Sequence, residues 1–397
     1  MTKKWVNIAD VLFFQEGPGV RNTQYTTSGV KLLNVANLVD GKVDLSKSDR
    51  YISEEEAYGK YRHFLCDDGD FVIASSGIKV EYIDKKMGFV DASMLPLCMN
   101  TSTIRFKVLD ENQLRIRYFM YYLKSKHFKE QLTKQITGSA QLNYGPSHLK
   151  KMIMPLIDIT VQDEIISCMD KLQSIIETRQ RELIELDRLM KARFVEMFGD
   201  PIQNPKGWEV VTIGDIVTEV RYGTSKPAVE GGKYPYLRMN NLTADGHLDL
   251  NDLKYIDIPD DEIEKCVVRK GDVLFNRTNS IELVGKTAVF DLPEDMIIAG
   301  YIIRVRLTEK MLPEVLSQYM NLEALKGILR GMAKGAVNQA NINAQELQSI
   351  KVYIPEMELQ KQFVKMKEQI YKSKVAVQKA LDETQILFDS LMQKYFG

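Results

Sequence analysis

The chain has 397 residues, with 53 basic and 54 acidic side chains and a formal net charge of −1 at pH 7. Hydrophobic residues make up 44% and charged residues 27%, a globular composition that excludes a collagen-like or disordered chain. The length predicts two or three domains. The near-zero charge excludes a histone-like coat of basic residues, so any nucleic-acid binding must use local patches.

The N-terminal residues and the cysteines bear on the compartment. Asn7 and Asp10 interrupt the apolar stretch near the N-terminus, so no signal-peptide core forms there. No apolar run approaches the roughly 20 residues of a membrane span. The cysteines are scattered without a Cys-x-x-Cys pair, which favours reduced thiols over a disulfide or zinc framework. We therefore expect a cytoplasmic protein with no membrane segment and no metal site.

The first half predicts a mixed α and β unit followed by a long helix. Short β-rich runs at 70–74 and 102–108 stand between turn signals, and one helix is expected around 115–134. From Gln162 to Phe198, apolar residues recur in alternating steps of four and three, interrupted only by Arg179 and Arg193. The seam residues are Ile165, Met169, Leu172, Ile176, Leu183, Leu186 and Met190.

The second half predicts the same order of elements. Short β-rich runs lie at 272–275 and 301–307, and one helix is expected around 313–330. A second heptad seam follows, with Lys367, Lys374 and Thr384 at three of its positions. Its apolar members are Phe363, Ile370, Val377, Leu381, Phe388 and Leu391.

The two long helices of about 37 residues would each measure roughly 55 Å. Each helix could pack on its own globular unit, which is the simpler alternative. A seam this long favours mutual pairing, with the helices antiparallel and the two halves related by a pseudo-twofold axis.

The chain is also an internal repeat. Residues 141–199 match residues 339–397 without gaps at an offset of 198, with ten identities over 59 positions, against about three or four expected from composition. Gln162 matches Gln360, and both segments end in Phe-Gly. We therefore predict an α+β protein with globular domains at 1–148 and 200–346, a central spacer helix within 149–199 and a C-terminal spacer helix within 347–397.

Catalytic signatures are absent from the sequence. The string from Ser280 to Thr287 superficially resembles a phosphate-binding loop, but that motif needs a glycine at position 280 and a helix after it, whereas 287–290 predicts a strand. No Gly-x-Gly-x-x-Gly follows a strand, and the four histidines do not cluster. The acidic runs at 54–56 and 260–262 are typical of solvated helix starts. We expect no catalytic residue and no cofactor bound by this chain.

Polar loops remain as candidate ligand contacts. Arg and Asn can hydrogen-bond guanine and adenine edges bidentately, while Ser, Thr and Lys hold phosphates. The same residues also form Asx and Ser/Thr turns that need no ligand, and residue chemistry alone leaves both alternatives open. The candidates in the first unit are Arg21, Asn22, Ser75, Ser76, Asn100, Thr101 and Ser102. Those in the second unit are Thr224, Ser225, Lys226, Arg238, Asn240, Arg277, Thr278, Asn279, Ser280 and Lys286.

Over nearly its whole length the sequence resembles the specificity subunit of type I restriction–modification systems. The resemblance rests on the order of two units and two helices and on the string Arg221-Tyr-Gly-Thr-Ser. It also rests on residues 271–280 with 284–290 and, in the first half, on residues 19–21, 69–70 and 75–77.

The resemblance implies a non-catalytic protein of host defence that reads double-stranded DNA through two target-recognition domains. The helices would form an antiparallel spacer that sets the gap in a bipartite site. The implied partners are two methyltransferase (modification) subunits and two restriction (motor-nuclease) subunits, which would use S-adenosylmethionine, ATP and Mg. Because the loops of the two units differ, we expect an asymmetric site. If Arg238 and Arg277 face bases, their replacement by alanine should relax one half of the motif.

Two other classes of protein stay open at this stage. One is a coiled-coil adaptor that assembles proteins without binding DNA, and the other is an enzyme with an unrecognised site.

Charge divides unevenly between the two globular units: residues 1–148 hold 20 basic and 17 acidic side chains, whereas residues 200–346 hold 17 basic and 22 acidic ones. We therefore expect partner subunits to supply much of the phosphate affinity.

Overall fold

The chain forms two compact units. The computed structural model describes residues 3–135, 143–336 and 339–397. The first unit comprises Met1–Thr178 together with Leu381–Gly397, and the second comprises Arg179–Ala380. Each unit is therefore a globular domain joined to parts of two long helices.

The first unit is built on a four-stranded antiparallel sheet. Its strands are β1 (Lys4–Asn7), β2 (Leu12–Glu16), β3 (Val30–Leu33), β4 (Leu38–Val39), β5 (Lys42–Val43), β6 (Tyr51–Ile52), β7 (Phe71–Ala74), β8 (Met87–Phe89), β9 (Leu97–Met99), β10 (Thr103–Val108) and β11 (Ile153–Leu156). Its helices are α1 (Ile8–Val11), α2 (Glu54–Tyr58), α3 (Ile116–Lys124), α4 (Lys126–Gln135), α5 (Pro146–Leu149) and the first part of α6 (Ile159–Phe198). The main sheet has the order β2-β10-β7-β8, and a smaller sheet has the order β6-β3-β9 with β3 and β9 parallel.

The core of the first unit lies between the main sheet and α3. Every side chain of β7 is buried, which explains the continuous apolar run 71–74. Phe106 on β10 packs against Phe119 on α3 with ring centroids 5.0 Å apart. The strands predicted at 70–74 and 102–108 are confirmed as β7 and β10.

The second unit repeats this topology. Its strands are β12 (Glu209–Thr212), β13 (Val217–Tyr222), β14 (Tyr234–Leu237), β15 (Lys254–Ile256), β16 (Val267–Val268), β17 (Val273–Asn276), β18 (Thr278–Asn279), β19 (Thr287–Val289), β20 (Met296–Ile298), β21 (Ile302–Leu307), β22 (Lys334–Ala336), β23 (Gln339–Asn341) and β24 (Lys351–Ile354). Its helices are α7 (Asp260–Cys266), α8 (Pro313–Met320), α9 (Glu323–Met332), α10 (Ala344–Gln348) and most of α11 (Met357–Phe396). The main sheet, β13-β21-β17-β19, is antiparallel like its counterpart.

Equivalent residues pair in the same register in the two sheets. Ile104 faces Ile73 in the first unit, and Ile303 faces Phe275 in the second. Strand β1 pairs with β11 as β12 pairs with β24. The internal repeat is confirmed, and the strands predicted at 272–275 and 301–307 are confirmed as β17 and β21.

The single helix predicted in each domain is wrong, because each is broken into two. In the first unit Ser125 adopts an extended conformation between α3 and α4, and its hydroxyl accepts a hydrogen bond from Phe128 N at 3.2 Å. In the second, Asn321 follows α8, and its side chain donates to Thr287 O at 2.6 Å. Short polar side chains compete for backbone groups and end helices in this way. Apolar spacing continues across both breaks and conceals them.

Both long helices are confirmed, and each has 40 residues. Within the second unit they run antiparallel: Phe194 packs on Phe363 with ring centroids 5.2 Å apart, while Asp187, earlier in α6, bonds Lys374, later in α11. Within the first unit, the start of α6 and the end of α11 share one core with α3. The helices therefore both pair with each other and pack on globular domains. Among the helices that the structure describes, none combines the length and apolar character that a membrane span requires.

The predicted seam faces inward along both helices. Ile165, Met169 and Phe363 are buried, and all the other apolar seam residues are buried or half-buried. The seam prediction missed the aromatic residues in the last turns. Phe198 is fully buried in the core of the second unit, and Phe396 lies 5.1 Å from the ring of Tyr118 in the first.

A buried glutamine ties each long helix to the globular domain before it. Gln162 accepts a hydrogen bond from Arg115 N at 2.9 Å and donates to the carbonyl oxygens of Gln113 and Ile157 at 2.8 and 2.9 Å. Gln360 makes the equivalent bonds to Leu312 N, Lys310 O and Pro355 O. Both side chains are fully buried, so their identity in the repeat reflects the same structural role.

Candidate nucleic-acid interface

In the first unit, candidate residues gather at one edge of the main sheet. Strand β2 ends, β10 begins and β7 ends at this edge, because neighbouring strands are antiparallel. Gly17 N donates to Thr103 O at 2.9 Å, and Ser75 N donates to Ser102 O at 2.8 Å. The hydroxyls of Ser76 and Ser102 are 2.6 Å apart. The edge therefore brings Ser75, Ser76 and Ser102 together.

Asn100 is buried at this edge. Its amide donates to Asn34 Oδ1 at 2.8 Å, and its own Oδ1 accepts a hydrogen bond from Thr101 N. Gly17 packs so closely on it that a Cβ atom would lie 2.1 Å from Asn100 O, so only glycine fits there. Asn100 is thus held by the protein, while the side chain of Thr101 is exposed.

Arg21 and Asn22 lie on a separate turn of the first unit. Both are exposed, and the turn is fixed through Gln24, whose amide donates to Glu56 Oε1 at 2.6 Å and to the hydroxyl of Tyr61 at 3.0 Å. The structure therefore does not join them to the serine cluster by any hydrogen bond of the described residues.

The second unit presents the same edge with different side chains. Gly223 N donates to Ile302 O at 3.2 Å, and Arg277 N donates to Tyr301 O at 3.0 Å. These bonds match those of Gly17 and Ser75, so Arg277 occupies the position of Ser75. By the same comparison Tyr301 replaces Ser102.

An open cavity of about 590 Å³ lies at this edge of the second unit. It brings together six predicted residues and the aromatic side chains of Tyr236 and Tyr301. The six are Thr224, Ser225, Lys226, Arg238, Asn240 and Arg277. Tyr301 is 52% exposed, and sequence reasoning missed it because a tyrosine at the start of a strand gives no separate signal.

Two of the three cationic side chains at the cavity have carboxylate partners. Lys226 Nζ lies 2.9 Å from a carboxylate oxygen of Glu262, and Arg238 Nη2 lies 2.7 Å from Asp252 Oδ2. Hydrogen bonds from Lys254 and Arg238 hold the pKa of the Asp252 carboxyl below its usual range. Arg277 stacks on the ring of Tyr222, with its guanidinium carbon 4.8 Å from the ring centroid.

The remaining predicted residues of the second unit lie beside the cavity and support its loop. Asn279 donates to Asn276 Oδ1 at 2.9 Å and accepts a hydrogen bond from Ser280 N. Thr278 is buried on β18. Lys286 is buried as well, and its ammonium group donates to the carbonyl oxygens of Met239 and Leu242. Burial lowers the pKa of Lys286. Position 287 begins strand β19, in agreement with the predicted strand.

The four cysteines are all free thiols. Cys66, Cys98 and Cys266 are buried, Cys168 is half-buried, and none is in a disulfide. Within the described ranges, no three side chains of the His, Cys, Asp or Glu type are grouped to hold a metal ion.

Fold and interface together define a tandem scaffold: two copies of one loop-bearing α+β domain, with different side chains at the same edge, attached to long paired helices. A family model described as the type I restriction modification DNA specificity domain matches residues 18–188 and again 205–384. The chain belongs to this family.

Two relatives and one solved structure illustrate the similarity. The specificity subunit of the type I restriction enzyme EcoKI from Escherichia coli (strain K12) is 22% identical over 299 residues, which cover 70% of this chain and 64% of that protein. A putative type I restriction enzyme MjaX specificity subunit from Methanocaldococcus jannaschii is 32% identical over 166 residues, covering 41% of this chain and 39% of that protein. The matches thus span less than two thirds of these relatives. The S subunit of a type I restriction–modification system from M. genitalium shares the fold, with a TM-score of 0.58 and 16% identity over 100% of this chain and 96% of that one.

Proposed function

We propose that this chain is the non-catalytic DNA sequence-recognition subunit of a type I restriction–modification complex, each globular domain reading one half of a bipartite, asymmetric site. The carrying observation is the shared sheet edge with different side chains at equivalent positions. Ser75 and Ser102 stand in the first unit where Arg277 and Tyr301 stand in the second. Two domains that read different DNA sequences need the same backbone with different side chains. Each base pair presents its own pattern of hydrogen-bond donors and acceptors, which the side chains must match.

The long helices are proposed as the spacer between the two readers and as the docking surface for two methyltransferase subunits. A 40-residue helix is roughly 60 Å long, nearly twice the 34 Å of one DNA turn. Exposed apolar side chains outside the seam, such as Ile184 and Ile386, support contact with other proteins. Catalysis would lie with partners: methyltransferase subunits using S-adenosylmethionine and motor-nuclease subunits using ATP and Mg. Base flipping would also belong to the methyltransferase, since the target adenine must leave the stack.

Methylome sequencing tests this function. The full chain is expressed with the modification subunit of its own system in a host that lacks other adenine methylation. We expect N6-methyladenine in one motif made of two unlike halves separated by a gap. A palindromic or continuous motif would contradict the two-reader model. Methylation without any motif, together with no sequence preference in a gel shift of the complex, would leave the protein an assembly adaptor.

A further inference from the structure

Arg277 is the arginine of the second domain that has no carboxylate partner among the described residues. Every other arginine between 200 and 346 pairs with at least one: Arg221 with Glu219, Arg238 with Asp252, Arg269 with Glu264 and Asp295, Arg304 with Glu219, Arg306 with Glu219 and Asp272, and Arg330 with Glu323. Arg277 is therefore the arginine of this domain whose charge remains available to an incoming acceptor.

The guanidinium of Arg277 is also held in place. Its Nε is buried and makes no hydrogen bond, and its Nη1 has only a long contact of 3.5 Å to Gly300 O. The guanidinium carbon lies over the ring of Tyr222, whose hydroxyl is itself fixed by a hydrogen bond of 2.8 Å from Ala344 N. A side chain stacked on a pinned ring loses little freedom when it binds, so Arg277 is positioned in advance for a planar ligand.

We propose that Arg277 reads a guanine through the O6 and N7 atoms of its major-groove edge, in the half-site of the second domain. This assignment rests on the proposed function. The arginine fork matches two acceptors in one plane, and guanine is the base that presents such a pair in the major groove. The cavity beside Arg277 is lined in part by the apolar side chains of Ala228, Met239 and Ala299, which suit a flat base edge better than a phosphate.

The first domain has no arginine at the position equivalent to Arg277. Its equivalent position is Ser75, which is 1% exposed and whose hydroxyl faces Glu16 Oε1 at 3.3 Å. A serine beside a carboxylate cannot present two parallel donors to one base. The guanine contact therefore belongs to one half of the site.

Single-position changes in the DNA and in the protein test the proposal. The full chain with its modification subunits is first used to define the motif, and each guanine of the second half-site is then replaced singly by 7-deazaguanine or inosine. We expect 7-deazaguanine at one position to weaken binding roughly 10-fold or more, because N7 is lost, and inosine there to have no such effect, because O6 and N7 remain. Arg277→Ala should bind the normal and 7-deazaguanine duplexes equally and should methylate sites with any base at that position.

Arg277→Lys separates base reading from phosphate binding. Lysine keeps the charge but loses the planar fork of two donors, so the preference for guanine should fall in this variant by less than in Arg277→Ala, because an ammonium group still donates to O6 and N7. Arg330→Ala, which removes an exposed ion-paired arginine of the same domain, is the control and should leave the motif unchanged. Equal weakening on all sequences in Arg277→Ala, with the preference for guanine unchanged in that variant, would identify a phosphate contact and overturn the proposal. A second half-site without guanine on either strand would overturn it as well, while the proposed function stands. The absence of any wild-type motif would remove both.

Discussion

At the scale of single residues, Gln162 and Gln360 show how the repeat preserves structure while the side chains at the sheet edge diverge. Each glutamine satisfies one backbone N–H and two backbone carbonyl groups in a site closed to water. No other side chain of similar size offers an acceptor and two donors in that geometry without charge. By contrast, Ser75 and Arg277 share a backbone position but differ in surroundings: Ser75 is buried beside Glu16, whereas Arg277 is half-buried and lines the cavity.

We expect Gln162→Ala and Gln360→Ala each to lower the free energy of unfolding of the full chain by about 2–4 kcal/mol, because each leaves buried backbone groups unsatisfied. Urea denaturation followed by circular dichroism measures this change. Gln180→Ala, an exposed substitution on the same helix as Gln162, is the matched control and should cost less than about 0.5 kcal/mol. Equal losses of unfolding free energy at positions 162 and 180 would show that the buried hydrogen bonds of Gln162 add no stability beyond that of an exposed glutamine.

At the scale of elements, two lysines of the α11 seam differ in their surroundings. Lys374 Nζ lies 2.6 Å from Asp187 Oδ1 on α6 and 2.7 Å from Asp245 Oδ2 on a loop of the second domain. Burial lowers the pKa of Lys374, but its hydrogen bonds with these carboxylates outweigh that effect and raise it. Lys367, one heptad earlier, has no ion pair among the described residues, and burial lowers its pKa.

The same substitution at these two positions should therefore have opposite effects. Lys374→Met removes two ion pairs with partly exposed carboxylates, and we expect a loss of about 1 kcal/mol. Lys367→Met replaces a desolvated ammonium group with an apolar side chain of similar length, and we expect a gain of about 1 kcal/mol. Thermal unfolding of the full chain measures both, with exposed Lys365→Met as the control. Destabilisation by Lys367→Met would mean that its charge is compensated by the surrounding carboxylates.

The long helices and the main strands were predictable because their signals are periodic and local. The breaks at Ser125 and Asn321 were not, since buried Tyr121 and Phe128 keep a helical apolar spacing across the first break. Each break depends on a hydrogen bond of a polar side chain, with Phe128 N in one case and with Thr287, distant in sequence, in the other. Such a bond leaves no periodic signal.

The candidate site was predictable as a set of loops but not residue by residue. Arg277 and Lys286 are both cations in one polar loop region, yet one lines the cavity while the other donates to backbone carbonyl groups beneath it. The same residue types form ligand contacts and internal hydrogen bonds, so residue type alone does not separate the two roles. Which loops lie side by side depends on the strand order of the sheet, and the local sequence does not reveal that order.

At the scale of the whole molecule, charge bears on the proposed binding of DNA. Residues 200–346 carry 17 basic and 22 acidic side chains, and most of their arginines already have carboxylate partners. The net charge of this domain, −5, opposes the binding of phosphates. Recognition and general affinity are therefore expected to reside in different subunits of the complex.

The salt dependence of binding tests this division. For the full chain alone we expect the slope of log Kobs against log [NaCl] to correspond to only about three phosphate contacts, since each contact adds about −0.9 to the slope. The complex with modification subunits should give a markedly steeper slope on the same duplex. A duplex without the motif serves as the control for non-specific binding. Equal slopes for the chain and the complex would assign the phosphate contacts to this chain.

The first unit is built from two segments that lie far apart in the chain, and this affects the order in which the two units can fold during synthesis. Phe388, Met392 and Phe396 belong to the same core as Tyr118 and Leu123, although more than 250 residues separate them along the chain. The second unit is one continuous segment, Arg179–Ala380. All of the second unit is therefore synthesised, and leaves the ribosome, ahead of residues 381–397. The domain that is synthesised first is the one whose core closes last, and until then its aromatic face on α3 needs protection from other chains.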